Sequence, residues 1–377
     1  MSRYPDELGE WWTGFPGSDA PAWVTPSPPS AGAVAPAAEG LRGAVSRRAS
    51  KHGLVVGPGK RERAKVEQAA EWRRQTIAAI RAPSLKSGVI TLGSGFGGTG
   101  KTDVAVTLAA IDAAAHSTDT VPVENLTLLS PATTPCRLVA QATNYASHVK
   151  DVGRDPAKTP LTFFRKASGS VCGPFDDIVK PDHVRLLDYE LEIGLVIGRE
   201  LPVGTEVTEA NLADFVHGLV VTNDVSARDV QLTKAQFYES KSYPTFTPVG
   251  PALVLVDADE LKGFGDLRLQ LRVNGQIRQN MVVEGDILYP PVQALQTLAK
   301  FQKLDAGDIV LTGTPVGTAL TARGVSQKPG ELDLQAFLSA QTQNPNYLHH
   351  GDVVEATVAT DDGAINLGTQ HNKVVYA

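Results

Sequence analysis

The sequence has only two cysteines, Cys136 and Cys172, which form neither a C-x-x-C pair nor a disulfide framework. It also has no apolar run of about eighteen residues, the length that predicts a membrane-spanning helix. The first residues lack the apolar core of a secretory signal peptide. These absences predict a cytoplasmic protein with free thiols and no membrane partner.

Long basic runs are missing as well, and the formal net charge of the chain is −6 at pH 7. A nucleic-acid-binding surface needs clustered positive charge, so nucleic acid is excluded as an expected partner. Hydrophobic residues make up 42% of the chain and charged residues 20%, values typical of a globular protein. The 377 residues are enough for two domains.

The pattern of residues changes along the chain and predicts three regions. Residues 1–40 are rich in proline, alanine and glycine and are expected to be irregular. Residues 41–125 are interpreted as a small α/β N-terminal domain. Residues 126–377 contain many short β-branched runs separated by Gly, Pro, Asn and Asp, with helices expected over 208–216 and 291–300. The predicted fold class is α+β, predominantly β.

Residues 95–102 match the P-loop pattern G-x-x-x-x-G-K-[ST] and stand between a strand-like and a helix-like segment. Such a loop can bind nucleotide phosphates through its backbone N–H groups. The chain leaves too few residues after Thr102 for the further parallel strands that a nucleotide-binding domain requires. We therefore favour a glycine-rich turn, with nucleotide binding as the alternative.

Carboxylates near residue 190 form the most informative pattern. Glu190 and Glu192 are two residues apart in a strand-like run, so both point to one face. Two like charges on a buried face are costly unless a cation neutralises them, although an E-x-E pair can also lie on a solvated face. Asp224 ends a second apolar run and can supply a third carboxylate. Such a set favours Mg²⁺ or Mn²⁺, with Ca²⁺ as a further candidate.

A series of short motifs in one collinear order resembles the fumarylacetoacetate hydrolase superfamily. Each motif is weak alone, and the order carries the resemblance. The motifs are residues 128–131, 143–148, 164–166, 188–193, 223–231, 241–251, 273–275, 306–317 and 350–354. The resemblance implies a catalytic domain with the mixed β-roll fold of the superfamily, a small-molecule keto-acid substrate and a homodimer.

The resemblance also assigns roles to individual residues. It implies that Glu190, Glu192 and Asp224 are the metal ligands and that Lys241 stabilises an anionic substrate oxygen. It implies a set of substrate-binding residues, namely Tyr145, Lys166, Arg228, Gln231, Thr245 and Thr314. Bracing of Asp224 is the alternative role for Arg228, and a tight turn is the alternative for Thr314.

The expected catalytic base is His148, because imidazole titrates near neutral pH. In the smaller members of the family a glutamate three residues later orients this histidine, and here Asp151 stands at that position. The larger hydrolytic members have an acidic fourth metal ligand where this chain has Asn144. This difference favours a centre with three carboxylates.

The main functional hypothesis is a metal-dependent hydrolase that cleaves a C–C bond in a β-diketo acid of the acylpyruvate or fumarylacetoacetate type, with aromatic catabolism as its setting. The first alternative uses the same site as an isomerase or decarboxylase of hydroxymuconate- or oxaloacetate-type acids. A catalytically silent binding protein is a further alternative. Residues 320–348 resemble an insertion, which we expect to shape substrate access or the dimer contact.

Overall fold

The computed structural model describes residues 127–234, 237–321 and 334–377. The strands are β1 (Leu138–Ala142), β2 (Thr162–Lys166), β3 (Val171–Cys172), β4 (Ile178–Lys180), β5 (Leu187–Asp188), β6 (Leu191–Ile197), β7 (Val216–Asn223), β8 (Ser226–Ala227), β9 (Thr247–Pro248), β10 (Val254–Leu255), β11 (Leu267–Val273), β12 (Gln276–Val282), β13 (Ile309–Leu311), β14 (Val353–Thr360) and β15 (Asn366–Tyr376). The α-helices are α1 (Ala146–Asp151), α2 (Arg228–Thr233), α3 (Ala258–Lys262), α4 (Pro291–Leu298) and α5 (Leu334–Gln341).

The strands form two larger sheets and two small ones. The six-stranded sheet has the order β10-β7-β6-β13-β1-β2, in which β1 and β13 are parallel and the other neighbours are antiparallel. The five-stranded sheet has the order β12-β11-β14-β15-β4, in which β15 and β4 are parallel. The pairs β3-β9 and β5-β8 complete the β-structure. These mixed sheets with few helices confirm the predicted α+β, mainly β fold class.

One continuous hydrophobic core joins the two larger sheets. It includes Leu195 and Leu219 from the six-stranded sheet together with Leu269 and Val358 from the five-stranded sheet. On β11 the buried positions alternate with half-buried ones, as expected for a strand with one face on a core. A smaller cluster covers the other face of the six-stranded sheet.

Strand β6 lies in the middle of the six-stranded sheet and is buried on both faces apart from half-buried Val196. Ile193 and Leu195 point into the main core. Gly194 points to the opposite face, where a Cβ atom would lie 2.7 Å from Val220 Cγ2. Because side chains alternate along a strand, Glu192 shares the face of Gly194. The strand therefore places a carboxylate inside a closely packed layer.

The helix predictions had different outcomes. The expected helix over 291–300 is confirmed as α4, which begins with Pro291 at its first position and buries Ala294, Leu295 and Leu298. The helix expected over 208–216 is wrong. Only a 3₁₀ turn forms there, at Leu212–Asp214, because Val216 pairs with Ile197 and begins β7.

The expected N-terminal regions, 1–40 and 41–125, lie outside the described residues, as does the P-loop-like segment 95–102. The domain division at residue 126 therefore stays a prediction.

We expect Leu195→Ala to lower the free energy of unfolding by about 2–5 kcal/mol, because it leaves a cavity in the shared core. Leu195 is fully buried and pairs with Leu219 and Val310. Val203→Ala is the matched control, because Val203 is 55% exposed and should change little. Chemical denaturation measures both, and equal effects of the two substitutions would contradict this placement of the core.

Candidate functional site

Three buried carboxylates converge where β6 begins and β7 ends. In the antiparallel pair, Leu191 lies opposite Asn223, which brings Glu190 and Glu192 beside Asp224. One carboxylate oxygen from each of the three residues lies within 4.8 Å of the other two. All three side chains are buried. The strand pairing thus brings together the three predicted metal ligands in a group that can hold a metal ion.

Two lysines neutralise part of this charge. Lys241 Nζ donates hydrogen bonds to Glu190 Oε2 and Asp224 Oδ2, both at 2.7 Å. Lys166 Nζ donates to Asp224 Oδ1 at 2.5 Å and to the Phe246 carbonyl at 2.7 Å. Both lysines are buried. Lys166, predicted as a substrate contact, is therefore also a direct partner of an expected metal ligand.

Arg228 lies at the start of α2 and binds three side chains. Its guanidinium donates to Asp188 Oδ2 at 2.8 Å, to Gln231 Oε1 at 2.8 Å and to Glu190 Oε1. The predicted pair Arg228 and Gln231 is therefore next to the carboxylates. The bracing interaction goes to Glu190, whereas the sequence interpretation gave Asp224 as the braced residue.

The two glutamates differ in how well their charge is compensated. Burial raises the pKa of Glu190, but the positive charges of Arg228 and Lys241 outweigh this effect and hold its pKa well below its usual range. Burial, together with the charges of Asp224 and Glu190, raises the pKa of Glu192 well above its usual range. A backbone N–H, from Gly313, donates to Glu192 Oε2 at 2.7 Å. A divalent cation fits this site, because the carboxylate oxygens are hard donors and Glu192, within the described residues, forms no ion pair with a lysine or arginine.

Gly313 can present this N–H because of its backbone conformation. Its φ angle is +84°, a region that favours glycine. A Cβ atom at this position would lie 2.7 Å from Asn144 Cβ. The glycine of the T-G-T-P loop therefore allows the close approach between this loop and residue 144.

His148 lies in α1 and is 5% exposed. Its Nδ1 atom is buried and has no hydrogen-bond partner among the residues that the structure describes. Burial lowers the pKa of His148 to about 4, against the opposing effect of the negative charge of Glu190. The imidazole is therefore neutral at neutral pH. Asp151 ends the same helix, and the spacing of three residues places it on the same side. Orientation of His148 by Asp151 stays a prediction.

Hydrogen bonds from two loops hold the segment that carries His148. Asp286 Oδ1 accepts from the Ser147 N–H at 2.7 Å, and the Ala146 N–H donates to the Asp286 carbonyl at 2.7 Å. The Asn144 amide donates to the Thr312 carbonyl at 2.8 Å and accepts from the Tyr289 N–H at 2.9 Å. Asn144 is therefore a structural brace, which agrees with a centre of three carboxylates.

Three predicted substrate-binding residues, Tyr145, Thr314 and Thr245, make different contacts in the folded protein. Tyr145 is fully buried, and burial followed by the charge of Glu192 raises the pKa of its phenol. The Thr314 hydroxyl donates its one proton to the Leu191 carbonyl at 2.8 Å, so Thr314 would bind a substrate carboxylate through its backbone N–H. Thr245 Oγ1 accepts from the Val179 N–H at 2.8 Å, which ties it to β4. The substrate-binding roles of all three stay predictions.

The sequence interpretation assigned no role to two fully buried residues of this region, Asp188 and Gln279. Gln279 Oε1 accepts from the Leu191 N–H at 3.0 Å, and its Nε2 donates to Thr314 Oγ1 at 2.8 Å. Asp188 binds Arg228. Its sequence position could have indicated a role for Asp188. It lies two residues before Glu190 and directly after the apolar pair Leu186-Leu187.

We expect Glu192→Gln to weaken Mn²⁺ binding by roughly 100-fold or more, since even the loss of an outer partner of a metal ligand costs about 10–100-fold. Because the pKa of Glu192 is raised, Mn²⁺ must displace a proton, and the wild-type affinity should increase with pH. Isothermal titration calorimetry measures both effects. Glu209→Gln, at an exposed position, is the matched control. Binding to the Glu192 variant with the affinity of the control would show that the carboxylates are not the ligands.

The chain is similar to known proteins over the residues that carry this site. Residues 137–375 match the family model described as fumarylacetoacetate (FAA) hydrolase C-terminal. The chain is 32% identical over 256 residues to the mitochondrial oxaloacetate tautomerase Fahd2a of Rattus norvegicus, covering 68% of this chain and 71% of that protein.

Two solved structures support the same relationship. One is a fumarylacetoacetate hydrolase from Exiguobacterium antarcticum, with 32% identity, a TM-score of 0.52 and coverage of 69% of this chain and 80% of that one. The other is a 5-carboxymethyl-2-hydroxymuconate delta-isomerase from Mycobacterium smegmatis, with 28% identity, a TM-score of 0.52 and coverage of 68% and 83%. With more than half of its length matched by the family model, the chain belongs to the fumarylacetoacetate hydrolase superfamily.

Proposed function

We propose that this protein is a divalent-metal-dependent isomerase that interconverts the keto and enol forms of a small β-dicarbonyl acid. Oxaloacetate and hydroxymuconate-type acids are the proposed substrates. The observation that carries the proposal is a buried, neutral imidazole in the electrostatic field of three clustered carboxylates, whose Nδ1 has no partner in the described part of the chain. The names of the tautomerase and isomerase relatives support this alternative over the C–C hydrolase of our main sequence hypothesis.

Keto–enol interconversion moves one proton between a carbon and an oxygen. A neutral imidazole can accept the proton from carbon and deliver it to the enolate oxygen, and can carry it back from oxygen to carbon in the reverse direction, which is the role we assign to His148. Lys241 and Arg228 hold Glu190 in place and keep positive charge close to the oxygen that becomes negative. A divalent cation held by Glu190, Glu192 and Asp224 would stabilise the enolate as a Lewis acid. We propose Mg²⁺ or Mn²⁺ as that ion.

Hydrolysis of a C–C bond makes a further demand on the same residues. A water molecule must be held and deprotonated for attack on a carbonyl carbon, and this requires a base with a fixed orientation. In our sequence hypothesis Asp151 provides that orientation for His148. Isomerisation holds no water molecule for attack, so it does not require Asp151 to orient His148 toward one. Hydrolysis and decarboxylation are therefore outcomes that the test must detect.

The test follows the enol absorbance of oxaloacetate with Mg²⁺ or Mn²⁺ present. We expect the wild-type protein to accelerate interconversion and His148→Gln to reduce kcat by about 10²–10⁴-fold, the usual contribution of a general base. Metal binding should persist in this variant, because His148 is not among the clustered carboxylates. His371→Gln, at an exposed position of β15, is the control and should retain activity.

Product analysis separates the alternatives. Release of carbon dioxide with formation of pyruvate, dependent on His148, would favour a decarboxylase. Incorporation of ¹⁸O from labelled water into a carboxylate released from an acylpyruvate would favour the hydrolase. Either result without any interconversion of oxaloacetate or a hydroxymuconate-type acid would refute the isomerase.

The remaining expectations accompany this proposal. We propose a homodimer, which light scattering can test, and a cytoplasmic location, although the rat relative is named as mitochondrial.

In the part of the chain that the structure describes, no helix combines the length and apolarity needed to cross a membrane. Nucleotide binding by residues 95–102 stays the alternative of another class.

A further inference from the structure

The predicted insertion at residues 320–348 packs beside the candidate site in the part that the structure describes. Its described part, the 334–348 segment, contains α5 and the buried residues Leu338, Tyr347 and Leu348. The Leu348 N–H donates to the Leu187 carbonyl in β5 at 2.8 Å. Asn344 Nδ2 donates to the Ala319 carbonyl at 2.7 Å. The segment therefore contacts both the strand that precedes the E-x-E pair and the loop that follows the T-G-T-P motif.

The peptide group that joins Ala319 and Leu320 is held at both ends. Its carbonyl oxygen accepts from Asn344 Nδ2, and its N–H, on Leu320, donates to Asp188 Oδ2 at 3.0 Å. The peptide group is planar, so rotation that breaks one of these bonds also disturbs the other. The N–H of Ala319 adds a bond to Asp188 Oδ1 at 2.7 Å. Asn344 thus fixes the backbone that contacts Asp188.

Asp188 connects this backbone to the carboxylate centre. It is fully buried, and its oxygens accept four hydrogen bonds, from the N–H groups of Tyr189, Ala319 and Leu320 and from Arg228 Nε. Arg228 in turn donates to Glu190 Oε1. A displaced Asp188 would leave the buried guanidinium without one of its three partners, so Arg228 and Glu190 would have to move with it.

We propose that Asn344 is a positioning residue that acts on Glu190 through the Ala319–Leu320 peptide, Asp188 and Arg228. The inference rests on the proposed metal centre and extends it, because it makes the 334–348 segment a part of the scaffold that sets the affinity for the metal ion. A surface insertion without this role would affect neither the exchange of the Leu320 amide nor metal binding.

The test uses the full chain and two readouts other than activity. Asn344→Asp keeps the side-chain oxygen that accepts from the Asn346 N–H but removes the donor to Ala319, and Asn344→Ala removes both. We expect both variants to accelerate hydrogen exchange of the Leu320 amide by about 3-fold or more and to weaken Mn²⁺ binding by roughly 2- to 30-fold. Gln343→Ala, at the neighbouring exposed position, should change neither.

A double-variant cycle tests whether Asn344 acts on Glu190 through Asp188. We expect Asp188→Asn to weaken Mn²⁺ binding by about 10–100-fold, and Asn344→Ala to add little in that background, because both act on the same contact. Mn²⁺ affinity is measured from the paramagnetic resonance signal of the free ion. Unchanged exchange or unchanged affinity in both Asn344 variants would overturn the inference, as would effects that multiply in the double variant. Mn²⁺ binding by a wild-type protein without isomerase activity would overturn the proposed function alone, whereas a wild-type protein that binds no Mn²⁺ would overturn both.

Discussion

The structure around β6 and β7 depends on the compensation of buried negative charge. Asp188, Glu190, Glu192 and Asp224 are buried together, and the compensating cations are Lys166, Arg228 and Lys241. Buried charges require both pairing and hydrogen bonds, and each of these cations makes charge-assisted contacts. Among the described residues, Asp188, Glu190 and Asp224 form ion pairs with these cations, whereas Glu192 forms none and its pKa is raised well above its usual range. Glu192 can therefore bind a metal ion in place of its proton.

Strand pairing turns this electrostatic balance into a defined geometry. The register of β6 and β7 fixes Glu190, Glu192 and Asp224 relative to one another, and the antiparallel pair β6-β13 brings the Gly313 N–H to Glu192. The three clustered carboxylates thus lie on or directly beside strands of a packed sheet. The expected base, His148, lies on a helix of only six residues whose position depends on the hydrogen bonds of Asn144 and Ser147. We infer that the carboxylates are fixed by the sheet and the imidazole by the loops.

The sequence predicted the parts of the site that depend on local periodicity and failed where distant segments meet. Glu190 and Glu192 were predicted correctly to share a face, because the period of a strand is a local property. The helix over 208–216 was wrong, because only the 3₁₀ turn Leu212–Asp214 forms there before Val216 pairs with Ile197 and begins β7. The contacts of Asp188 with residues 319–320 and of Gln279 with Thr314 join segments far apart in the chain. No local sequence pattern predicts such contacts, so they could not be inferred from the sequence.

We propose that Glu190, Glu192 and Asp224 form a divalent-metal centre. The most direct measurement is a crystal structure of the protein grown with Mn²⁺, with the ion located by its anomalous scattering. We expect one strong peak among the three carboxylates, with oxygen distances of about 2.0–2.6 Å. We also expect Lys241 to lose at least one of its two carboxylate contacts when the ion binds. A map without a peak at this position, with Lys241 still bound to both Glu190 and Asp224, would show that the three carboxylates do not form a metal centre.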